Sequence, residues 1–209
     1  MTVIGDLIVA GRDIAAEKLV RGSGGNLSGR TEDKIFITRS GADLGRLTEA
    51  DFVTIEPTPN LPPTTKPSSE LAMHLAAYRS RPESHIILHV HPPKAISLGL
   101  LSLPLPALTP DFYLHLGAMV PFIPYITPTT TELAEAVGPF LANHPAALLQ
   151  NHGVIVTGRD TPQALLRLFL LEEQAAIYLD ALPAGTPRTL TPSDMRHLDT
   201  ITAGRYKLK

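Results

Sequence analysis

The segment between residues 95 and 131 is nearly uncharged, and it limits what this chain can fold into. Among Asp, Glu, Lys and Arg, only Asp111 occurs in it. An apolar stretch of this length suggests a membrane span, but prolines divide it into pieces too short to cross a bilayer: Pro104, Pro106, Pro110, Pro121, Pro124 and Pro128. We therefore expect buried strands and loops here, or a contact between subunits, and no membrane partner.

The composition of the 209 residues is that of a folded domain, with 44% hydrophobic and 18% charged residues. The formal net charge of −2 provides no basic surface for nucleic acid. The chain has no cysteine and eight histidines, which excludes thiol chemistry and requires nitrogen or oxygen ligands for any metal. Neither a repeat, a linker nor a targeting segment is visible, so we predict a single domain over residues 1–209 and a cytoplasmic location.

Helical and strand patterns alternate along the chain. Apolar spacing and capping residues predict helices within the first 21 residues, after Ser68-Ser69-Glu70, and from a capping box at Thr129 and Glu132 to about Leu141. They also predict a long helix from Gln163 to about Leu182, with Thr161 as its cap and Pro162 at its first position. Apolar β-type runs predict strands at Lys34–Thr38, Phe52–Ile55, Ile86–His91 and Val120–Ile126, and a hairpin over Ala146–Thr157. Because several strands are joined by short turns, we expect a mixed α/β sheet with antiparallel pairs.

Three histidines are candidate metal ligands. Alternate side chains of a strand point to one face, so His89 and His91 would lie about 6–7 Å apart on the same face. That spacing allows both to bind one cation, and it also fits two polar residues on a solvated face. His152 lies in the predicted hairpin turn, and three imidazoles with an open fourth position are typical of a catalytic zinc site. We expect the other histidines to be exposed or hydrogen-bonded: His74, His85, His115, His144 and His197.

Glu70 stands at the start of a helix that leads into the strand of His89. The helix dipole favours a carboxylate at this end, which would explain Glu70 as a helix-terminal charge alone. A carboxylate near a metal-bound substrate can instead act as a general base. The position of Glu70 allows both interpretations.

Three segments rich in glycine and serine could bind an anion through neutral donors. Ser23-Gly24-Gly25-Asn26 could expose successive backbone N–H groups, Ser40-Gly41 follows a strand, and Ser68-Ser69 opens a helix whose first N–H groups are free. None of them matches a nucleotide-binding glycine motif, and each alone fits an ordinary turn. Together they predict a phosphate site built from backbone and serine donors, which suits a chain without a basic excess.

The order and spacing of these motifs resemble the class II aldolase/adducin family over roughly residues 5–182. The resemblance implies a single α/β domain with a mainly antiparallel central β-sheet flanked by helices. It also implies a homotetramer with active sites at subunit contacts. It is carried by Gly25-Asn26-Leu27-Ser28, Ile37-Thr38-Arg39-Ser40-Gly41, Ser68-Ser69-Glu70 followed by His74–Tyr78, His89-Val90-His91 and Gln150-Asn151-His152-Gly153.

For the site, the resemblance implies Zn²⁺ on His89, His91 and His152, with Glu70 as the acid/base. It implies phosphate contacts from Gly25, Asn26, Ser40, Gly41, Ser68 and Ser69. In the aldolases of this family a tyrosine near the C-terminus, provided by a neighbouring subunit, serves the aldehyde end of the substrate. Tyr206 matches that tyrosine and Tyr113 best matches a second one, so we expect the tail over residues 183–209 to reach a neighbouring subunit.

The activity that the resemblance implies is cleavage of a phosphorylated ketose, similar to L-fuculose 1-phosphate, to dihydroxyacetone phosphate and an aldehyde. A close alternative is decarboxylation of 3-oxo-tetronate 4-phosphate, because Leu108-Thr109-Pro110 and Ile123-Pro124-Tyr125 resemble that branch. Dehydratases and epimerases of the family rank lower, and the epimerases have Asp in place of Glu70. A non-catalytic, adducin-like binding module would lack the three histidines and Glu70, which this chain has.

Overall fold

The structure, a computed structural model, describes residues 2–56 and 66–203. Within these residues the helices are α1 Val3–Ala16, α2 Leu71–Ser80, α3 Pro93–Leu100, α4 Pro110–Leu116, α5 Thr131–Asn143, α6 Thr161–Ala181 and α7 Pro192–Ile201. The strands are β1 Asn26–Arg30, β2 Ile35–Thr38, β3 Phe52–Ile55, β4 Ile86–Val90, β5 Leu105–Pro106, β6 Met119–Val120, β7 Phe122–Ile123, β8 Ala146–Leu149 and β9 Gly153–Gly158. Short 3₁₀ turns occupy Leu44–Arg46, Glu49–Asp51 and Leu182–Ala184.

Seven of the strands form one sheet in the order β3-β2-β1-β4-β9-β8-β7. All neighbours in it are antiparallel except β7 and β8, which are parallel. Strands β5 and β6 pair separately as a short antiparallel ladder. The predicted α/β domain with a mainly antiparallel central sheet is therefore confirmed.

The central strand β4 is buried along its whole length, because helices cover both faces of the sheet. Leu88 and Val90 belong to the larger core cluster, which includes residues of α1, α3, α4 and α6. Ile87 points the other way, into a second cluster with residues of α2 and α5. Since side chains alternate along a strand, His89 lies on the side of α2 and α5. This alternation directs His89 towards Glu70 at the start of α2.

The uncharged segment contains two helices as well as strands, so the expectation of strands and loops alone is wrong. Pro93 and Pro110 each stand in the first turn of a helix, where the missing N–H costs nothing and the fixed φ favours the helix. Thr109 caps α4 by accepting from the Phe112 amide at 3.3 Å. Pro121 divides the strand predicted at residues 120–126 into β6 and β7. In the described ranges no helix is long and apolar enough to cross a membrane.

Two helix starts differ from the prediction by one residue. Thr130, and not Thr129, caps α5, because Thr129 adopts a left-handed backbone with φ of 69°. Asp160, and not Thr161, caps α6, since its Oδ1 accepts from the Gln163 amide at 2.8 Å. The hydrophobic pattern locates these helices, but the local backbone decides which of two adjacent polar residues caps them.

The C-terminal part of the described chain packs against its own domain. The Leu190 amide donates to the Ala107 carbonyl at 2.9 Å, and Met195 of α7 packs against the larger core cluster. Tyr206 lies outside the described residues. The expectation that the tail over residues 183–209 reaches a neighbouring subunit therefore stays a prediction.

Candidate metal centre and its pocket

His89, His91 and His152 come together where β4 ends beside the turn between β8 and β9. Antiparallel pairing places Val90 opposite Val154, so the end of β4 meets the hairpin turn that contains His152. The candidate ligand atoms of the three rings all lie within 4.8 Å of one another. The Nε2 atoms of His89 and His91 are 3.2 Å apart. The group has the donor set and the spacing of a site that could hold a metal ion.

Glycine lets the hairpin turn approach the end of β4. A β-carbon added at Gly153 would lie 2.4 Å from the Val90 carbonyl oxygen and 2.6 Å from Cδ2 of His91. Such distances are too short for any other residue unless the backbone or His91 moves. Asn151, at the other side of His152, has a φ of 56°, a left-handed conformation that asparagine tolerates well. Asn151 and Gly153 thus give the turn the conformation that brings His152 next to His91.

The ring of His89 is fixed by its second nitrogen. Its Nδ1 donates to the Val154 carbonyl oxygen at 2.8 Å, and the residue is fully buried. Nε2 therefore faces His91 and Glu70, and it lies 2.8 Å from Oε2 of Glu70. A histidine whose Nδ1–H is held by a carbonyl is typical of a metal ligand, because the bond fixes both the tautomer and the ring orientation.

The other two rings are held in the form that binds metal. Burial, followed by the charge of His89, lowers the pKa of His91 and of His152 to about 4. Both imidazoles are therefore neutral near pH 7. Oε1 of Glu70 and Nδ1 of His152 are buried without a hydrogen-bond partner among the described residues. Buried polar atoms of this kind are normally satisfied, so the residues fit a bound cation and its ligands.

Glu70 is the N-cap residue of α2 and is almost completely buried. Burial raises the pKa of its carboxyl, but the hydrogen bond and charge of His89, the charge of His152 and the amide of Asn26 outweigh this and lower it to about 2. Asn26 Nδ2 donates to Oε2 at 3.5 Å. Glu70 is thus an ionised carboxylate directly beside the three histidines.

The predicted anion-binding segments border the same cavity, whose volume is about 380 Å³. His91, His152 and Glu70 line it together with every residue that was expected to contact phosphate: Gly25, Asn26, Ser40, Gly41, Ser68 and Ser69. His89 lies behind this surface, fully buried. Residues separated by more than 100 positions in the chain therefore share one pocket.

An isolated antiparallel β-bridge between Arg39 and Pro67 positions the serine residues on one side of the pocket. The Ser40 amide donates to the Lys66 carbonyl at 3.1 Å, and the Ser68 amide donates to the Thr38 carbonyl at 2.9 Å. The expectation that the first N–H groups at Ser68-Ser69 are free is therefore wrong for Ser68. Its hydroxyl, and not its amide, is the group that can face an anion.

Arg39 is a pocket residue that sequence reasoning did not single out. Its Nε and Nη2 lie 2.9 and 2.8 Å from Oδ1 of Asp51, and its side chain is about half exposed. The other carboxylate oxygen of Asp51 accepts from the amide and hydroxyl of Thr48. Asp51 thus holds the guanidinium at the rim of the cavity, where mainly neutral donors were expected.

Tyr113 is not brought to this pocket within the chain. It lies in α4, where burial, the charge of Asp199 and a hydrogen bond to that carboxylate raise its pKa. The pocket lining within the described residues does not include it. A role for Tyr113 or Tyr206 in the site of a neighbouring subunit stays a prediction.

Comparison with known proteins agrees with this fold. The model of the Class II Aldolase and Adducin N-terminal domain matches residues 5–179. An L-fuculose phosphate aldolase from Escherichia coli O6:H1 is 35% identical over 169 residues, covering 81% of this chain and 79% of that protein. A 3-oxo-tetronate 4-phosphate decarboxylase from Haemophilus influenzae is 32% identical over 199 residues, covering 92% of this chain and 94% of that protein.

Among solved structures, an L-fuculose 1-phosphate aldolase superposes with a TM-score of 0.88 at 31% identity, covering 96% of both chains. The chain belongs to the class II aldolase and adducin family. Its fold, its group of three histidines and its relatives define it as a class II aldolase-type protein with lyases among its homologues.

Proposed function

We propose that this protein is a zinc-dependent lyase that cleaves a phosphorylated ketose to dihydroxyacetone phosphate and an aldehyde. The observation that carries the proposal is the shared pocket. An ionised carboxylate, the imidazoles of His91 and His152 and a set of anion-binding groups border one cavity, and His89 lies directly behind them. This arrangement suits a substrate with a phosphate at one end and a reacting carbonyl at the other.

His89, His91 and His152 would hold the metal, with one position open for substrate. When bound there, Zn²⁺ would act as a Lewis acid on the carbonyl and hydroxyl oxygens of the substrate. The hydrogen bond from His89 Nδ1 to Val154 would keep the ligand orientation fixed during turnover. The first residue of β9 after the turn, Gly153, keeps space for His91.

Glu70 would move the proton. When the carbon–carbon bond breaks, the electron pair of that bond stays on the carbon next to the ketose carbonyl, and the hydroxyl group that becomes the aldehyde loses its proton. The ketone product forms when that carbon gains a proton. Glu70 is the ionised carboxylate beside the three histidines, and it can accept the hydroxyl proton and pass a proton to that carbon. Tyr206 and Tyr113 of a neighbouring subunit are proposed for the aldehyde end, in a homotetramer.

The phosphate would bind at the other end of the cavity. Gly25, Asn26, Ser69 and Gly41 border it with the Ser40 and Ser68 hydroxyls. Arg39 adds a positive charge at the rim. Hydrogen bonds to a charged phosphate are stronger than those between neutral groups, so these few donors suffice for a pocket without lysine.

Decarboxylation of a 3-oxo-tetronate 4-phosphate is the second candidate. The Haemophilus influenzae relative with that name aligns over 92% of this chain, whereas the Escherichia coli aldolase aligns over 81%. The same residues would serve it, because loss of carbon dioxide also leaves an electron pair next to a carbonyl. Glu70 would protonate that carbon in both reactions, with the proton coming from the substrate hydroxyl in the aldol cleavage and from water in the decarboxylation.

The test is a panel of phosphorylated ketoses and 3-oxo-tetronate phosphates incubated with the zinc-loaded protein, with products followed by NMR. Dihydroxyacetone phosphate with an aldehyde supports the aldolase proposal. Carbon dioxide with a phosphorylated ketone supports the decarboxylase. If neither product forms, and added zinc does not change the result, the lyase proposal is wrong.

A further inference from the structure

A continuous chain of buried hydrogen bonds leads away from Glu70 into the core. Asn26 contacts Glu70 with its Nδ2 and His74 with its Oδ1, which lies 2.5 Å from Nε2 of His74. Nδ1 of His74 lies 2.7 Å from the Ser28 hydroxyl, and that hydroxyl lies 2.8 Å from the Tyr78 hydroxyl. His74 is fully buried in the middle of this chain.

Two periodicities bring these residues together. Asn26 and Ser28 are two positions apart on β1, so both side chains point to the same face of the sheet. Glu70 and His74 are four positions apart at the start of α2, so they lie on one face of the helix. The strand pair, Asn26 and Ser28, faces the helix pair, Glu70 and His74. His74 contacts both members of the strand pair, and Asn26 contacts both members of the helix pair.

The direction of every bond follows from the chemistry of the groups. Asn26 turns its NH₂ group towards Oε2 of Glu70 and therefore its Oδ1, which can only accept, towards His74. Nε2 of His74 must then carry the hydrogen. Burial lowers the pKa of His74 to about 3, so the ring is neutral and its Nδ1 accepts from the Ser28 hydroxyl. Tyr78 donates to Ser28 and also approaches the His85 carbonyl at 3.3 Å.

We propose that His74 is a positioning residue for Glu70, acting through the amide of Asn26. By fixing the amide orientation, His74 keeps an N–H group on Oε2 of Glu70, the oxygen that also contacts His89. Oε1 has no hydrogen-bond partner among the described residues and lies 3.7 Å from Nε2 of His152, so it is the oxygen that faces the histidine group. This inference rests on the proposed function in one respect, namely that Glu70 is the acid/base.

A matched pair of substitutions separates the two contacts of His74. The amide nitrogen of a glutamine can occupy the place of Nε2, whereas that of an asparagine occupies the place of Nδ1. His74→Gln can therefore keep the donor to Asn26 while losing the contact with Ser28. His74→Asn keeps a group near Ser28 but does not reach Asn26. Both remove a buried imidazole, so both are expected to lower the melting temperature.

The two variants should differ in kcat. With the substrate found in the panel, we expect His74→Gln to keep kcat within about 3-fold of wild type and His74→Asn to lower it by about 10- to 100-fold, the range seen when an outer-shell partner is lost. KM and the zinc content should stay unchanged in both. Tyr78→Phe, which cuts the far end of the chain, should lower stability without lowering kcat. Equal kcat values for the Gln and Asn variants would overturn the proposal, as would a loss in Tyr78→Phe equal to that in His74→Asn.

A measurement on the wild-type protein needs neither activity nor a folded variant. NMR of ¹⁵N-histidine-labelled protein reports the tautomer of each neutral ring, and we expect His74 to be neutral with its hydrogen on Nε2. A hydrogen on Nδ1, or a doubly protonated ring at pH 7, would show that His74 does not fix Asn26. If no substrate is turned over, the proposed function fails, but this result still decides the role of His74.

Discussion

Nε2 of His89 lies 2.8 Å from Oε2 of Glu70, while Nδ1 of the same ring donates to the Val154 carbonyl at 2.8 Å. The hydrogen bond at Nδ1 fixes the orientation of the ring and directs Nε2, the nitrogen that would bind the metal, towards the Glu70 carboxylate. The proposed metal ligand on β4 and the proposed acid/base at the start of α2 therefore lie side by side. Metal binding by His89 and proton transfer by Glu70 therefore each depend on the position of the other residue.

Glu70→Gln is expected to lower kcat by about 10²- to 10⁴-fold, the usual contribution of a general acid or base. The amide has nearly the same shape as the carboxylate but cannot carry the proton. Since the three histidines are untouched, zinc content should stay near one per chain. Steady-state kinetics test the expected loss of kcat, and metal analysis tests the unchanged zinc content.

The control is Glu173→Gln, which removes an exposed carboxylate on α6 and should leave kcat unchanged. Equal rates for the Glu70 variant and wild type would exclude Glu70 as the acid/base.

His152→Ala is expected to abolish stoichiometric zinc binding and lyase activity. It removes one of the three proposed ligands, whose nitrogen atoms lie within 4.8 Å of one another. A chelator should inactivate the wild-type protein, and added Zn²⁺ should restore it. His144→Ala is the matched control, because His144 is partly exposed, follows the end of α5 and does not line the cavity. Full zinc content in the His152 variant, measured on purified protein, would show that the metal binds elsewhere.

Gly153→Ala is expected to damage the site without changing any ligand. Its methyl group would lie 2.4 Å from the Val90 carbonyl and 2.6 Å from His91, so the turn or the ring must move. We expect a loss of about 1–3 kcal/mol in the free energy of unfolding, as in other overpacked cores. We also expect weaker zinc binding. Chemical denaturation and a zinc titration measure these.

Gly99→Ala is the control for that substitution. Gly99 is also buried, on α3, but an added methyl would meet its nearest neighbour, the Gln150 Cα, at an ordinary 3.4 Å. Alanine is also the better helix former, by up to about 1 kcal/mol. We therefore expect unchanged zinc affinity and equal or higher stability. Equal losses in both alanine variants would mean that the close approach at Gly153 does not hold His91 in place.

The sequence predicts the fold and the grouping of the histidines because these depend on short-range patterns. The period-2 pattern places His89 and His91 on one side of β4, and the polar turn at Asn151-His152-Gly153 separates two apolar strands. Antiparallel pairing of neighbouring strands then brings the turn to the strand end. The same patterns locate α2 and its N-cap residue, Glu70.

Some residues of the site were not identified from the sequence, because their positions depend on contacts between distant segments of the chain. Arg39 reaches the pocket because of its bridge to Pro67 and its ion pair with Asp51, neither of which has a local signal. His74 stands among apolar residues of an ordinary helix, and its role appears only when β1 is known to face that helix. The tyrosines require the position of a second subunit, which one chain cannot provide.

Arg39→Gln is expected to raise KM for a phosphorylated substrate by about 10-fold with little change in kcat. A hydrogen bond to a charged group contributes about 1.5–3 kcal/mol, and about 1.4 kcal/mol corresponds to tenfold in affinity. The lower end of this energy range applies here, because the Arg39 side chain is about half exposed and is screened by solvent. Inhibition by inorganic phosphate should weaken by a similar factor.

The matched control is Arg46→Gln, which removes a more exposed guanidinium, 88% accessible, from a residue that does not line the cavity. It should leave KM unchanged. If Arg39 binds the phosphate, raising the salt concentration should raise KM for the wild type more than for Arg39→Gln, because salt screens exposed charges. An equal salt dependence of both proteins would mean that Arg39 only pairs with Asp51. The phosphate would then be held by the neutral donors that the sequence alone predicts.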